Sequence, residues 1–298
     1  MGKKQTEFTL EEARAAALDD LAFVIAFARN LGTVTDPSVP AAWVAVLESL
    51  RNKVNLAAGP SLSEPEIRRV FEFGQTLITG IPDIASQLSA FWSLHEAIGA
   101  RLQDPVEAER GYQPEQHIAQ LSQRIENADR FAMAVVREAH QSKGLLALGA
   151  VLMVHVARVD TIEFALMRQL GDAVKRFKLE AEFDPAAMCS VEEKVPLRRR
   201  GKTEWRTDVR AIPDAAAHFK FSFEIGPNDW SIEFSNYERG YQFDRKFTQK
   251  ELMRFFDTHT LLYKSQLIML KLTMILHVLV THFWDGRGSK EPPPRWPL

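Results

Sequence analysis

Phe219, Phe221 and Phe223 alternate with Lys220, Ser222 and Glu224, so that every second side chain is apolar. A period of two sends successive side chains to opposite faces of an extended backbone and predicts a half-buried strand. Gly226-Pro227-Asn228-Asp229 supplies a turn, and Trp230, Ile232 and Phe234 form a second alternating run. Tyr237 to Gly240 makes a second turn, and Tyr241, Phe243 and Phe247 a shorter third segment. The chain on either side is spaced as helices. These patterns confine it to a mainly α fold, a helical bundle with a small antiparallel β-ribbon inserted before the last long helix.

Three capping boxes mark helix starts: Thr9 with Glu12, Ser63 with Glu66, and Thr248 with Glu251. Behind the first, Leu18, Leu21, Val24, Ile25 and Phe27 form a broad apolar face, and Gly32 with Pro37 and Pro40 closes the helix. Trp43, Val44, Val46, Leu47 and Leu50 recur at helical spacing up to Gly59-Pro60. Ile67, Val70, Phe71, Gly74 and Leu77 line a third helix that ends at Gly80, and a fourth is expected from Asp83 to Arg101. Further helices are expected from Pro114 to His140 and from Leu145 to Phe177, with a boundary at 141–144. That boundary divides the chain into an N-terminal helical domain, 1–140, and a second domain, 141–298. Lys178 to Lys202 reads as a long loop with a basic tip, and Glu204 to Ala217 as helix, beginning or kinking near Ile212 because of Pro213. Thr248 opens a long apolar helix to Phe283. The tail from Asp285, with three consecutive prolines, is expected to be extended or mobile.

The 298 residues carry 37 basic and 39 acidic side chains, so a nucleic-acid contact must come from a local cluster and not from net charge. The single cysteine, Cys189, excludes an intramolecular disulfide and a cysteine-based zinc site, and a reducing, cytoplasmic setting is expected. Leu267 to Trp284 is apolar enough to suggest a membrane span. It carries Lys271, His277 and His282, however, and reads as a buried helix of a protein with no membrane partner. Phosphate-cradling loops, dinucleotide fingerprints, nucleophile elbows and paired-histidine zinc helices do not occur, and neither metal nor cofactor is expected. His277 and His282 fall on different helix faces, and Glu192-Glu193-Lys194 lacks the upstream strand and Asp of a metal nuclease.

The segment Arg210-Ala-Ile-Pro-Asp-Ala-Ala-Ala-His218-Phe-Lys-Phe joins a short helix ending in histidine to the first alternating strand. It resembles the HEPN superfamily, whose helical bundles carry an arginine, a polar residue beside it and a histidine four to six positions on. The resemblance covers Leu145 to Trp284. Asp214 matches the polar residue and His218 the histidine. Seven residues separate Arg210 from His218, one more than the usual interval, and Pro213 occupies the position that a gap of four would give the arginine. The resemblance implies a homodimeric, metal-independent endoribonuclease of a prokaryotic defence or toxin system, with RNA as substrate and a protein partner such as an antitoxin. In it, Arg210 would hold a phosphate and His218 would move the proton of a ribose 2′-hydroxyl. Arg198, Arg199, Arg200, Lys202 and Arg206 form a basic cluster suited to phosphates, and Trp205 and Tyr237 could stack on bases.

Other readings of the same residues stay open. Asp214 can cap or pair locally, Arg210 can be a solvated charge, and His218 can end a helix where an imidazolium favours the carbonyl dipoles. The chain would then be an inactive interaction module, or a ligand sensor with a pocket among its Met and Phe side chains.

Overall fold

The computed structural model describes residues 9–31, 38–102, 145–158, 164–189, 195–199, 202–206, 208–225, 230–236 and 243–288, with isolated positions between 127 and 135. The helices are α1 (Leu10–Leu31), α2 (Ser38–Leu56), α3 (Glu64–Gly80), α4 (Ala85–Leu102), α5 (Leu145–Arg158), α6 (Phe164–Arg176) and the short α7 (Pro185–Met188). There follow strands β1 (Val195–Arg199) and β2 (Lys202–Arg206), then α8 (Asp208–Ala217). After α8 come β3 (Phe221–Ile225), β4 (Trp230–Asn236) and β5 (Phe243–Thr248), and finally α9 (Gln249–Val278). The protein is mainly α, with a three-stranded antiparallel sheet ahead of its last long helix, as the periods predict.

Two compact units share the chain. One holds α1, α2, α3, most of α4 and the chain from Ser265 onward, so the second half of α9 belongs with the N-terminal helices. This partition differs from the expected one. The expected boundary at 141–144 and most of the expected helix from Pro114 lie outside the described residues. Within this unit Ala13, Ala17, Leu21, Val24 and Ala28 line the buried side of α1 at intervals of three and four residues. In the second half of α9 nearly every residue from Ser265 to Leu276 is buried. By length and composition that helix could cross a membrane. A turn of π-helix, Leu279–Phe283, ends it, and Leu62 then bridges to Trp284, its N–H donating to the Phe283 carbonyl at 2.8 Å and its carbonyl accepting the Asp285 N–H at 3.0 Å. Asp285–Gly288 forms a 3₁₀ turn in place of the extended chain expected there, and the rest of the tail lies outside the described residues.

The other unit holds the described chain from α5 to Lys264, which includes the first half of α9. Its sheet has the order β3-β4-β5, with Phe221 opposite Phe234, Phe223 opposite Ile232, and Ile232 opposite Phe247. Ile232, Phe234 and Phe247 are buried against Leu148 and Leu152 of α5, Ile212, Ala215 and Ala216 of α8, and Leu252, Phe255 and Phe256 of α9. Each large side chain sealed there stabilises the fold by about 1.5–3 kcal/mol. On the opposite face Glu224 of β3 pairs with Lys246 of β5 across the sheet.

Two expectations are corrected in this unit. The basic end of the segment read as a loop, from Val195, belongs to an antiparallel hairpin, β1–β2, and Glu204 to Arg206 belong to its second strand instead of to a helix. Cross-strand pairing can stabilise such charged strands although they lack the alternation by which strands are recognised. α8 begins at Asp208 and runs through Pro213, so proline neither starts nor interrupts it. The missing amide leaves the carbonyl of Val209 without its helical donor. Burial of Ile212, Ala215 and Ala216 offsets that loss.

Candidate functional site

α8 is held by its inner side, where Ile212, Ala215 and Ala216 enter the core. Its outer side carries the residues singled out by sequence. His218 and Ala217 are exposed and Asp214 is half-buried. Arg210 belongs to the same helix, about two turns before Ala217. Arg210 and His218 are separated by roughly 12 Å along the axis.

The helix ends in a Schellman motif. The Lys220 N–H donates to the carbonyl of Ala215 at 2.8 Å, and the Phe219 N–H donates to that of Ala216 at 3.1 Å. His218, whose own N–H donates to Asp214 at 3.1 Å, is the last residue before the chain reverses. Phe219 takes the left-handed conformation the motif demands, with φ 54°. Glycine usually fills this position, because a Cβ in that region costs about 1–2 kcal/mol. The carbonyl of Lys220 then accepts the Ser235 N–H at 2.8 Å, which leads the chain into the β3–β4 ladder. Phe219 is thus not on the core side of the ribbon with Phe221 and Phe223, as its alternation suggested. It is 79% exposed. The left-handed turn shifts it out of register, and a two-residue period carries no sign of that.

α6 closes in the same way, with Lys178 at φ 56°. The Leu179 N–H donates to Val174 at 2.8 Å and the Lys178 N–H to Lys175 at 3.2 Å. There Leu179 and Val174 are both buried, the apolar contact that commonly accompanies the motif. At the end of α8 the corresponding residues are Lys220 and Ala215.

The basic cluster is not on a loop. Arg199 faces Lys202 and Arg198 faces Thr203 across β1–β2, with Val195 opposite Arg206. Trp205 is in β2 opposite Pro196. Arg200, Tyr237 and the Glu192-Glu193-Lys194 run lie outside the described residues.

A second group of titratable side chains went unnoticed in the sequence. His155 of α5 and His259 of α9 are buried, their rings 5.9 Å apart and edge to face. Phe256 lies 4.1 Å from His155, and Phe255 lies 4.4 Å from His259. Their sequence separation hid the pair. Among the described residues no three or more His, Cys, Asp or Glu side chains gather as metal ligands. His277 is exposed and His282 half-buried.

The fold and this site define a mainly α protein with an exposed histidine at the end of a short helix that feeds a β-sheet. Comparison of the chain with protein-family models, with curated proteins and with solved structures finds no match.

Proposed function

We propose that the chain acts on single-stranded RNA along the outer side of α8, as a metal-independent endoribonuclease of the HEPN type in a prokaryotic defence or toxin system. The observation that carries this reading is the exposed imidazole of His218, at the end of a helix that also contains Arg210 and the half-buried Asp214. Imidazole changes charge near neutrality, so it can take the proton of a ribose 2′-hydroxyl or give one to a leaving oxygen. The 2′ oxygen attacks the adjacent phosphorus and the bond from phosphorus to the 5′ oxygen breaks. A 2′,3′-cyclic phosphate and a 5′-hydroxyl result.

Arg210 holds the non-bridging oxygens, where negative charge grows. Members of the family that the chain resembles commonly form their site between two copies, so the reading includes a homodimer. Arg198, Arg199, Lys202 and Arg206 of β1 and β2, with Arg200, contact flanking phosphates.

Purified chain incubated with unstructured RNA in the presence of a chelator is expected to release fragments with 2′,3′-cyclic phosphate ends. His218→Ala is expected to slow this about 100-fold or more with the fold intact by circular dichroism. RNA left whole by the wild type over a range of salt and pH overturns the nuclease reading. Pro213, standing where the family interval would place arginine, favours a second reading, a bundle that kept the fold and binds a protein partner without chemistry. Unchanged biological activity in both His218→Ala and Arg210→Ala would support it.

A further inference from the structure

We infer that the outer edge of β3 is an interface between two copies of this chain, whose β3 strands pair antiparallel about a two-fold axis at Ser222. This interface concerns assembly and does not depend on the RNA reading.

The order β3-β4-β5 puts β3 at an edge of the sheet, and among the described residues no strand pairs with its outer side. The Lys220 carbonyl accepts the Ser235 N–H, so in the antiparallel ladder Lys220, Ser222 and Glu224 turn their backbone groups toward β4. The N–H and carbonyl groups of Phe221 and Phe223 therefore point outward, a template for a further strand. The opposite edge of the sheet is guarded. Arg245 of β5 stands opposite core residue Phe234 and lies over Phe247 at 4.5 Å, an inward-pointing charge that discourages pairing. β3 has no such guard. It contains no proline, keeps a regular register with β4, and carries the half-buried Phe221 and Phe223 on its core side. Phe219, 79% exposed with its ring 6.1 Å from that of Phe221, extends the apolar edge.

The strand is complementary to itself, which singles out a second copy as the occupant. Pairing centred on Ser222 sets Phe221 of each copy opposite Phe223 of the other, joining the outward backbone groups in four hydrogen bonds and the rings on one face. On the other face Lys220 of each copy falls opposite Glu224 of the other, so opposite charges meet at both ends and like charges nowhere. Each Glu224 also keeps Lys246 of its own sheet beside it. Centring on Phe223 would satisfy the same hydrogen bonds but set Lys220 opposite Gly226, so charge selects the first register. A closed, isologous dimer results.

Sedimentation across a concentration series is expected to show the wild type as a dimer that dissociates on dilution. Lys220→Glu and Glu224→Lys each set like charges opposite one another twice, and each alone is expected to weaken the dimer about 10-fold or more. An equal mixture of the two variants is expected to restore it, because the acidic strand of one then lies along the basic strand of the other. In the wild type, amide exchange at Phe221 and Phe223 is expected to slow as concentration rises. A chain monomeric throughout the series, a dimer indifferent to both charge changes, or a mixture no more associated than its components would overturn the interface. Protection of those two amides that does not vary with concentration would place a segment of the same chain over the edge, and would overturn it equally.

Discussion

A positive φ at an exposed phenylalanine is a small local conflict with a measurable consequence. Replacing Phe219 by glycine is expected to stabilise the fold by about 0.5–1 kcal/mol in denaturant titrations, since the strain of a Cβ at φ 54° outweighs the extra freedom glycine gains on unfolding. Gly74 of α3 is the converse case. A Cβ built there comes within 2.7 and 2.9 Å of ring atoms of Trp92, and that ring is buried and has little room to retreat. Gly74→Ala is expected to cost about 1–3 kcal/mol. Trp92 also has an indole N–H buried without a partner, so Trp92→Phe removes an unsatisfied donor along with the clash. The double variant should be markedly more stable than the sum of the single changes implies. A third residue-scale effect concerns acid. The Lys53 ammonium, with the Ser63 N–H and hydroxyl, holds the carboxyl of Glu66 down at about 2. A carboxyl lowered in the folded state stabilises it above the unfolded pKa and loses that contribution as pH falls from about 4.5 toward about 2. Glu66→Gln should therefore flatten the pH dependence of stability in that window, and an unchanged slope would contradict the assignment.

At the scale of elements, the signals carried by neighbouring residues were the legible ones. All three capping boxes form. Glu12 accepts from the Thr9 N–H at 2.9 Å, Glu66 from Ser63 at 3.0 Å and Glu251 from Thr248 at 2.8 Å. Thr248→Ala is expected to destabilise the protein by about 1 kcal/mol, read from the denaturant midpoint, because α9 begins on that cap directly after β5. The strands β3, β4 and β5 were visible for the same reason, since a two-residue period is written in adjacent side chains. β1 and β2 were not. Their charged residues suit a loop equally well, and only the pairing of Val195 to Arg199 with Lys202 to Arg206 makes them strands. The helix starts ahead of Pro213 because the cost of proline is local whereas the burial of Ile212, Ala215 and Ala216 that offsets it is tertiary. Of the candidate site, His218 at the end of a short helix was legible. The exposed, left-handed Phe219 beside it was hidden by an alternation that continues smoothly through it.

At the scale of the whole molecule, the buried ion pair between Asp20 of α1 and Lys271 of α9 joins residues near opposite ends of the chain, at 2.7 Å. Lys271 also lies over the ring of Phe23, 4.7 Å from its centroid. Burial raises the Asp20 carboxyl although the Lys271 ammonium pulls the other way, so desolvation is the larger effect. A carboxyl raised in the folded state favours folding below its unfolded pKa, and that contribution is lost as pH rises through the folded value. Lys271→Met leaves Asp20 buried with no cation and is expected to cost about 3–5 kcal/mol at neutral pH, and less in acid where Asp20 is protonated. Adding Asp20→Asn should recover most of the loss; a double variant no more stable than Lys271→Met would show that the pair contributes more than the removal of an uncompensated charge. The sequence by itself determined the helical class, the helix starts and the place of the main sheet, because periodicity and capping depend on residues within a turn or two of one another. Only the tertiary structure decided that the halves of α9 serve different units, that Lys271 meets Asp20, that His155 meets His259, and that Phe219 points to water. Those outcomes depend on which distant surfaces exclude solvent together, and no local spacing encodes that.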